Sequence, residues 1–210
     1  MDLDVGTVDR LLTTTRAVRK RLDLTRPVPP DVITECVRLA TQAPSAADAQ
    51  NWRWVVITEP GLRKEIADIR RADDLAFIQA KVAGLGPGPE RRRMESALYL
   101  LEHLHEVPVL VLPYVLDLDL DGLEGQPVPP ALLYGSIFPA VWSFQLALRS
   151  RGLGTTPLAA PDERAIAQVI GAPEDAHLSA FLPVAYYIGE SFRPAARRPV
   201  DEVLAWDGWT

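Results

Sequence analysis

From Ala131 to Leu148 the chain runs 18 residues without a charged side chain. A helix that is apolar on every side either crosses a membrane or fills the centre of a larger protein. Several features of the run favour the second. It contains Gly135, Ser136, Pro139, Ser143 and Gln145, opens after Pro130, and closes on Arg149-Ser150-Arg151-Gly152. That is the start and stop of an ordinary buried helix. Around it lie amphipathic segments and no second run of the same kind. The expectation is therefore no membrane and a helix at the centre of the molecule.

The 210 residues contain no segment that reads as a linker between two complete cores, so a single domain over 1–210 is expected. With 22 Lys+Arg against 28 Asp+Glu the net charge is -6, which argues against a general nucleic-acid binder. The single cysteine, Cys36, excludes an intramolecular disulfide framework and a multi-thiolate metal site. Met1 to Arg10 holds Asp2, Asp4 and Asp9 and no apolar run, unlike a secretory signal, so a reducing, cytoplasmic setting is the default.

Along the chain, 8–16 reads as a short helix. Pro29, Pro30 and Asp31 mark the start of a second, with Val32, Ile33, Cys36, Val37 and Ala40 on one stripe. Cys36 in that stripe reads as a small buried hydrophobe. Residues 52–58 are aromatic and β-branched and end at Glu59-Pro60-Gly61, a strand and a turn. Helices are expected over 62–82, 94–104 and 162–170, and strands over 107–112 and 183–189. Pro108 and Pro113 bound the second strand, where a missing N–H is tolerable. The Gly/Pro segment 84–89 reads as a loop and a candidate lid. The fold class is α+β or mixed α/β.

Most chemical motifs fail on inspection. Asp117, Asp119, Asp121 and Gly122 open like a calcium loop, but the twelfth position is Val128 where the bidentate Glu belongs. Glu102-His103-Leu104-His105-Glu106 clusters potential metal ligands, yet on a helix His103 and His105 diverge, and a helix end is the better reading. No dinucleotide fingerprint, P-loop or nucleophile elbow is present. No metal is expected, and no protein residue stands out as a nucleophile or general base. What remains is basic. Arg16, Arg19, Lys20 and Arg21 crowd one end of the chain, and Arg193, Arg197 and Arg198 the other. Guanidinium groups bind phosphate oxygens bidentately, so two such knots could meet on one phosphate. The alternative is solvated surface charge.

Four stretches, in order, resemble the FMN-dependent nitroreductases. Arg16-Ala17-Val18-Arg19-Lys20-Arg21 resembles that family's opening Arg-Arg-Ser-Val-Arg phosphate motif. Ala43 to Trp52 (Ala-Pro-Ser-Ala-Ala-Asp-Ala-Gln-Asn-Trp) resembles its Ala-Pro-Ser-x-x-Asn-x-Gln-Pro-Trp stretch. The helix end Leu146 to Thr155 is similar to its central helix and Gly-Leu-Gly exit. Arg197-Arg198-Pro199-Val200-Asp201-Glu202-Val203-Leu204 looks like its closing Arg-Arg-Lys-Pro-Leu motif. The likeness covers nearly the whole chain and is weakest over 61–130. Thr15 and Ala17 stand where the family often has Arg and Ser, Asp48 replaces Asn, and Asn51 replaces Pro.

The resemblance implies an α+β nitroreductase-like fold. It has a central, mostly antiparallel sheet flanked by helices, and a long central helix at a homodimer interface. It implies FMN at that interface, with Arg16, Arg19 and Arg197 on the phosphate and Lys20 and Arg198 beside them. Ser45 and Gln50 would bind the ring edge or ribityl chain, and Ala17 of the phosphate motif, Pro44 and Asp48 also belong to the cofactor-binding set. Thr155, Thr156, Pro157 and Leu158 would face the N1 and C2 carbonyl side, where negative charge gathers on reduction. Hydride would pass from NADH or NADPH to flavin N5 and then to a nitroaromatic, quinone or similar acceptor, ping-pong in one pocket, the flavin carrying the chemistry. A flavin desaturase or oxidase of the same fold, and a non-catalytic binder of FMN or another phosphorylated ligand, are the alternatives.

Overall fold

The computed structural model describes residues 4–117, 129–159, 162–190 and 192–209. Its centre is strand β2 (Val109–Leu116), of which Val109 to Val115 are all buried. Alternate side chains feed two cores. Val109, Val111 and Val115 pack with helices α2 (Pro30–Ala40) and α5 (Pro130–Ser150). Leu110, Leu112 and Tyr114 pack on the opposite face with α3 (Pro60–Gly84), α4 (Pro89–Glu102) and α6 (Glu163–Ile170). A strand covered on both faces needs no polar alternation, which explains the unbroken apolar run in the sequence.

Strand β1 (Trp52–Ile57) pairs antiparallel with β2 along its whole length, from Trp52–Val115 to Ile57–Leu110. On the other side of β2 lie β4 (Ala176–Leu178) and β5 (Leu182–Tyr186), both antiparallel, and β5 in turn pairs with the two-residue β3 (Leu153–Gly154). The order is β1-β2-β5-β3, with β4 beside β2. Every pairing among the described residues is antiparallel, in keeping with the sheet expected from the sequence.

Pro113 does not end β2, as expected, but lies inside it. Between the Tyr114–Leu178 and Val111–Leu182 pairs, β2 advances three residues and its neighbour four. That extra residue is a β-bulge over 179–181. The Pro113 carbonyl accepts from Ser179 N–H at 2.9 Å, so the proline nitrogen faces the same side. The missing donor therefore falls at the bulge, where no ladder bond is owed, and the β1–β2 ladder stays whole.

The other expectations shift at their ends. Helix α1 covers Val5–Thr14, so Arg16 lies beyond it. Helices α3 and α4 absorb Gly84 and Pro89, leaving 85–88 as a tight connection between two packed helices. The helix after 94 starts earlier and ends at Glu102, and Leu104–Glu106 is a 3-10 turn held by Arg63, which donates to the His105 and Val107 carbonyls. Cys36 is fully buried, and burial pushes its thiol up to about 11. A thiol kept protonated among apolar neighbours is unreactive. The acidic loop with Asp119, Asp121, Gly122 and Val128 lies outside the described residues.

Helix α5 has two faces. Ile137, Val141, Phe144 and Leu148 are buried against the sheet. Tyr134, Phe138 and Trp142, one turn apart on the outer side, are 38%, 47% and 42% exposed, and the Tyr134 and Phe138 rings stack at 5.6 Å. The chain thus buries half of its uncharged helix and leaves an aromatic stripe uncovered.

Candidate functional site

The basic segment after α1 is laid across the exit of the sheet by backbone bonds. Val18 N–H donates to the Thr155 carbonyl at 2.9 Å, Leu22 bridges to Tyr187, and Asp23 N–H donates to the Tyr186 carbonyl at 2.7 Å. Gly154 permits this approach. A Cβ there would stand 2.7 Å from Val18 Cγ2 and 2.8 Å from Val18 Cβ. Only a glycine lets the two backbones lie this close.

The result is a narrow cleft between the 15–18 segment, the end of α5 and β3. Arg16, Gln145, Arg149 and Thr155 are among its lining residues. Thr155 and Thr156 are buried, and neither hydroxyl has a hydrogen-bond partner; the buried Arg19 Nε lacks one too. Buried polar atoms are nearly always bonded, so this corner is short of acceptors. Burial also lowers the Arg19 pKa, the signature of a guanidinium without a nearby carboxylate. Among the described residues no carboxylate forms an ion pair with Arg16, Arg19 or Arg149. In a chain of net charge -6, such a concentration of unpaired cations attracts anions.

The two terminal knots meet through Arg16 and Arg193. Arg16 Nη1 donates to the Arg193 carbonyl at 3.0 Å. Arg197 and Arg198 are exposed, and Arg197 donates only to the adjacent Ala196 carbonyl at 3.1 Å. Ala17 and Lys20 are also exposed. Leu158 exchanges two backbone bonds with Phe181, which fixes the loop carrying Thr155, Thr156 and Pro157 to the bulge beside β2.

The 44–50 segment sits elsewhere on α5. Ala46 N–H donates to Ser136 Oγ at 2.9 Å, and that buried hydroxyl donates to the Leu132 carbonyl at 2.8 Å. Nine residues of helix separate Ser136 from Gln145, about 13 Å along the axis. Within one chain, then, Pro44, Ser45, Asp48 and Gln50 are not gathered into the Arg16 cleft. Ala47, Asp48 and Gln50 hold left-handed φ angles of 50°, 54° and 47°. Such strain costs of order 1 kcal/mol per residue and concentrates at ligand sites. Gln50 N–H donates to Ser45 Oγ at 3.2 Å and Gln50 Nε2 to Asp48 Oδ1 at 2.9 Å. The carboxylate that replaces the family's Asn is thus engaged with the neighbouring Gln.

The sequence model of the nitroreductase family matches residues 12–186. The chain belongs to that family. It is 25% identical over 168 residues to an iodotyrosine deiodinase of Thermotoga neapolitana, covering 80% of this chain and 81% of that protein. It is 27% identical over 195 residues to an NADH dehydrogenase of Thermus thermophilus, covering 86% and 87%. Its fold matches the crystal structure of an oxidized iodotyrosine deiodinase bound to FMN and 3-iodo-L-tyrosine, with a TM-score of 0.69, 22% identity, and 97% and 99% of the two chains covered. The nitroreductase-like fold expected from the four motifs is therefore the fold of this chain.

The sequence motifs left Gln145, Arg149 and Ser136 out of the candidate set. Arg149 and Gln145 face the cleft, and Ser136 anchors the 46–48 turn. One signal was available: Ser136 and Gln145 are polar residues inside an otherwise apolar helix, and Arg149 is the first charge after it. Elsewhere, His103 Nδ1 lies 2.7 Å from Glu106 Oε1, and His177 Nε2 lies 2.8 Å from Asp117 Oδ1. Among the described residues no group of three His, Cys, Asp or Glu side chains is placed to hold a metal.

Proposed function

We propose that this single domain is an FMN-dependent oxidoreductase that takes hydride from NADH or NADPH. It would pass the electrons to a nitroaromatic, quinone or similar acceptor in the cytoplasm. The observation that carries the reading is the cleft lined by Arg16, Arg149 and Thr155, with Arg19 Nε and the Thr155 and Thr156 hydroxyls buried without partners in the two segments that pair beside it. FMN offers what that corner is short of: phosphate oxygens, ribityl hydroxyls and ring carbonyls. The residues present fit the group. When bound, FMN supplies the redox chemistry.

The chain's own residues do the rest. Arg16 and Arg19 hold the phosphate, with Lys20, Arg197 and Arg198 raising the local potential. Ala17 continues the wall beside them. The Thr155 and Thr156 hydroxyls and the backbone of Pro157 and Leu158 face the carbonyl side of the ring, where donors favour reduction. Pro44, Ser45, Asp48 and Gln50 close the site from the second chain of a homodimer. Two observations support that arrangement. The 44–50 segment lies too far along α5 to join the Arg16 cleft of its own chain, and the Tyr134–Phe138–Trp142 stripe needs a cover. The exposed Trp206 and Trp209 of the tail suit the same interface.

The relatives are named for a deiodinase and a dehydrogenase, so the decisive experiment begins with flavin and donor rather than acceptor. The purified protein is expected to be yellow, with about one FMN per chain, and to bleach on anaerobic mixing with NADH or NADPH. A colourless protein that cannot be reconstituted with FMN overturns the reading. A yellow protein bleached by neither donor replaces it with a flavin oxidase or desaturase.

A further inference from the structure

We propose that Arg149 is a phosphate-binding residue of the Arg16 cleft, held in place by Tyr187 and Phe192. The proposal rests on the FMN reading above and assigns to its site a cation that none of the sequence motifs marks as a ligand.

Arg149 is the last charge of α5 before the chain turns into β3, and it lines the same cleft as Arg16 and Thr155. A free arginine at a helix end would swing into solvent, and freezing it would cost of order 1–2 kcal/mol of side-chain entropy. Here that cost is already met within the fold. Arg149 Nη1 donates to the Tyr187 hydroxyl. Its Cζ lies 4.8 Å from the centroids of both the Tyr187 and Phe192 rings, which meet edge to face at 5.0 Å. On the same pair of rings, Arg21 Cζ sits 4.1 Å from the Phe192 centroid, and Arg21 Nε donates to the Ile188 carbonyl at 2.6 Å. Two guanidinium groups thus share one aromatic pair.

The charge balance points the same way. Among the described ion pairs, Glu35 is taken by Arg38 at 2.7 Å and approached by Arg151 at 3.6 Å, and no carboxylate pairs with Arg149. Arg149 therefore keeps donors for a ligand. Arg197 was expected to complete the phosphate site, but it is exposed and bonded to its own neighbour. Arg149 adds a cation from a rigid helix, where geometry is better defined than in the tail.

The test separates a phosphate contact from a structural one by comparing FMN with riboflavin, which lacks the phosphate. Dissociation constants are read by flavin fluorescence for the native protein, Arg149→Gln and Arg149→Lys. For Arg149→Gln the preference for FMN over riboflavin should fall about ten- to hundredfold, the loss of one or two charged hydrogen bonds, with riboflavin affinity within about twofold of native. Arg149→Lys keeps the charge but not the fork, and should recover part of the preference. An unchanged preference in both variants, or an equal loss for both flavins, overturns the proposal. If Arg149→Gln does not fold, Arg149→Lys alone decides by the same ratio. A native protein that binds neither flavin overturns the FMN reading instead. In that case inorganic phosphate decides for Arg149: it should raise the Tm of the native protein and not that of Arg149→Lys, and an equal rise in both overturns the assignment.

Discussion

Gly154→Ala adds one methyl group at the point where β3 lies against Val18. That methyl carbon would stand 2.7 Å from Val18 Cγ2, 2.8 Å from Val18 Cβ and 3.1 Å from Val18 Cγ1. Turning the valine rotamer moves the two γ carbons but leaves Cβ where the backbone puts it, so the two segments must part by several tenths of an ångström. Overpacking of this kind costs about 1–3 kcal/mol. The loss of glycine's freedom in the unfolded chain returns about 0.4–1 kcal/mol. The net expectation is a destabilisation of about 1–2 kcal/mol in urea unfolding at fixed protein concentration. The movement also stretches the Val18–Thr155 backbone bond that sets the position of Arg16 and Arg19, so FMN should bind severalfold more weakly. Val18→Ala alone opens a small cavity at a buried position and costs about 2 kcal/mol. Combined with Gly154→Ala it removes two of the three close contacts, so the double variant should be less destabilised than the two changes added together, by about 0.5 kcal/mol or more. Native stability in Gly154→Ala, or strict additivity in the pair, would refute the close approach as the reason for the glycine.

Three further outcomes are expected. Tyr114 is buried with its hydroxyl unbonded, and burial, with the Glu163 charge added, pushes its pKa up to about 12. Its contribution to stability is complete below the ordinary value near 10 and is lost as pH rises from there through 12; Tyr114→Phe should flatten that alkaline loss and, by deleting an unsatisfied hydroxyl, raise stability at pH 7 by about 1 kcal/mol. A fall in stability at pH 7, read by urea titration, would mean that the hydroxyl is bonded. Arg16→Ala should weaken FMN retention by about 1.5 kcal/mol, the low end for a charged hydrogen bond because the side chain is exposed; equal FMN affinity by fluorescence titration would place the phosphate elsewhere. Phe138→Glu, in the middle of the uncovered stripe, should give a monomer with poor flavin retention in sedimentation analysis; an unchanged dimer would move the interface off α5.

The broad fold was legible because its strongest signals are long. The uncharged 131–148 run read as a buried helix and the 107–112 run as an apolar strand; both follow from composition over several residues. What escaped was short or depended on tertiary partners. Strands β3 and β4 have two and three residues, too few to show a period of two. Pro113 reads as a stop in any strand, and only the bulge in the neighbouring strand makes it tolerable in the middle. In the site, the order of the motifs along the chain pointed to the Arg16 and Thr155 segments, and backbone bonds bring these together. Arg149 escaped because a basic residue at a helix end already has a local explanation, as complement to the helix dipole. Asp48 reads as a lost amide, while the fold makes it the acceptor for Gln50.

The bulge beside Pro113 joins the core to the cleft. A residue able to donate at 113 would invite segment 179–181 to close up against β2 and continue a regular ladder. Phe181, at the far end of the bulge, exchanges both of its backbone bonds with Leu158, on the side away from β2. The loop that carries Thr155 and Thr156 is therefore pinned to a segment whose register is set by one extra residue in the sheet. A change that restored a regular ladder at 179–181 would move the cleft loop along with the sheet.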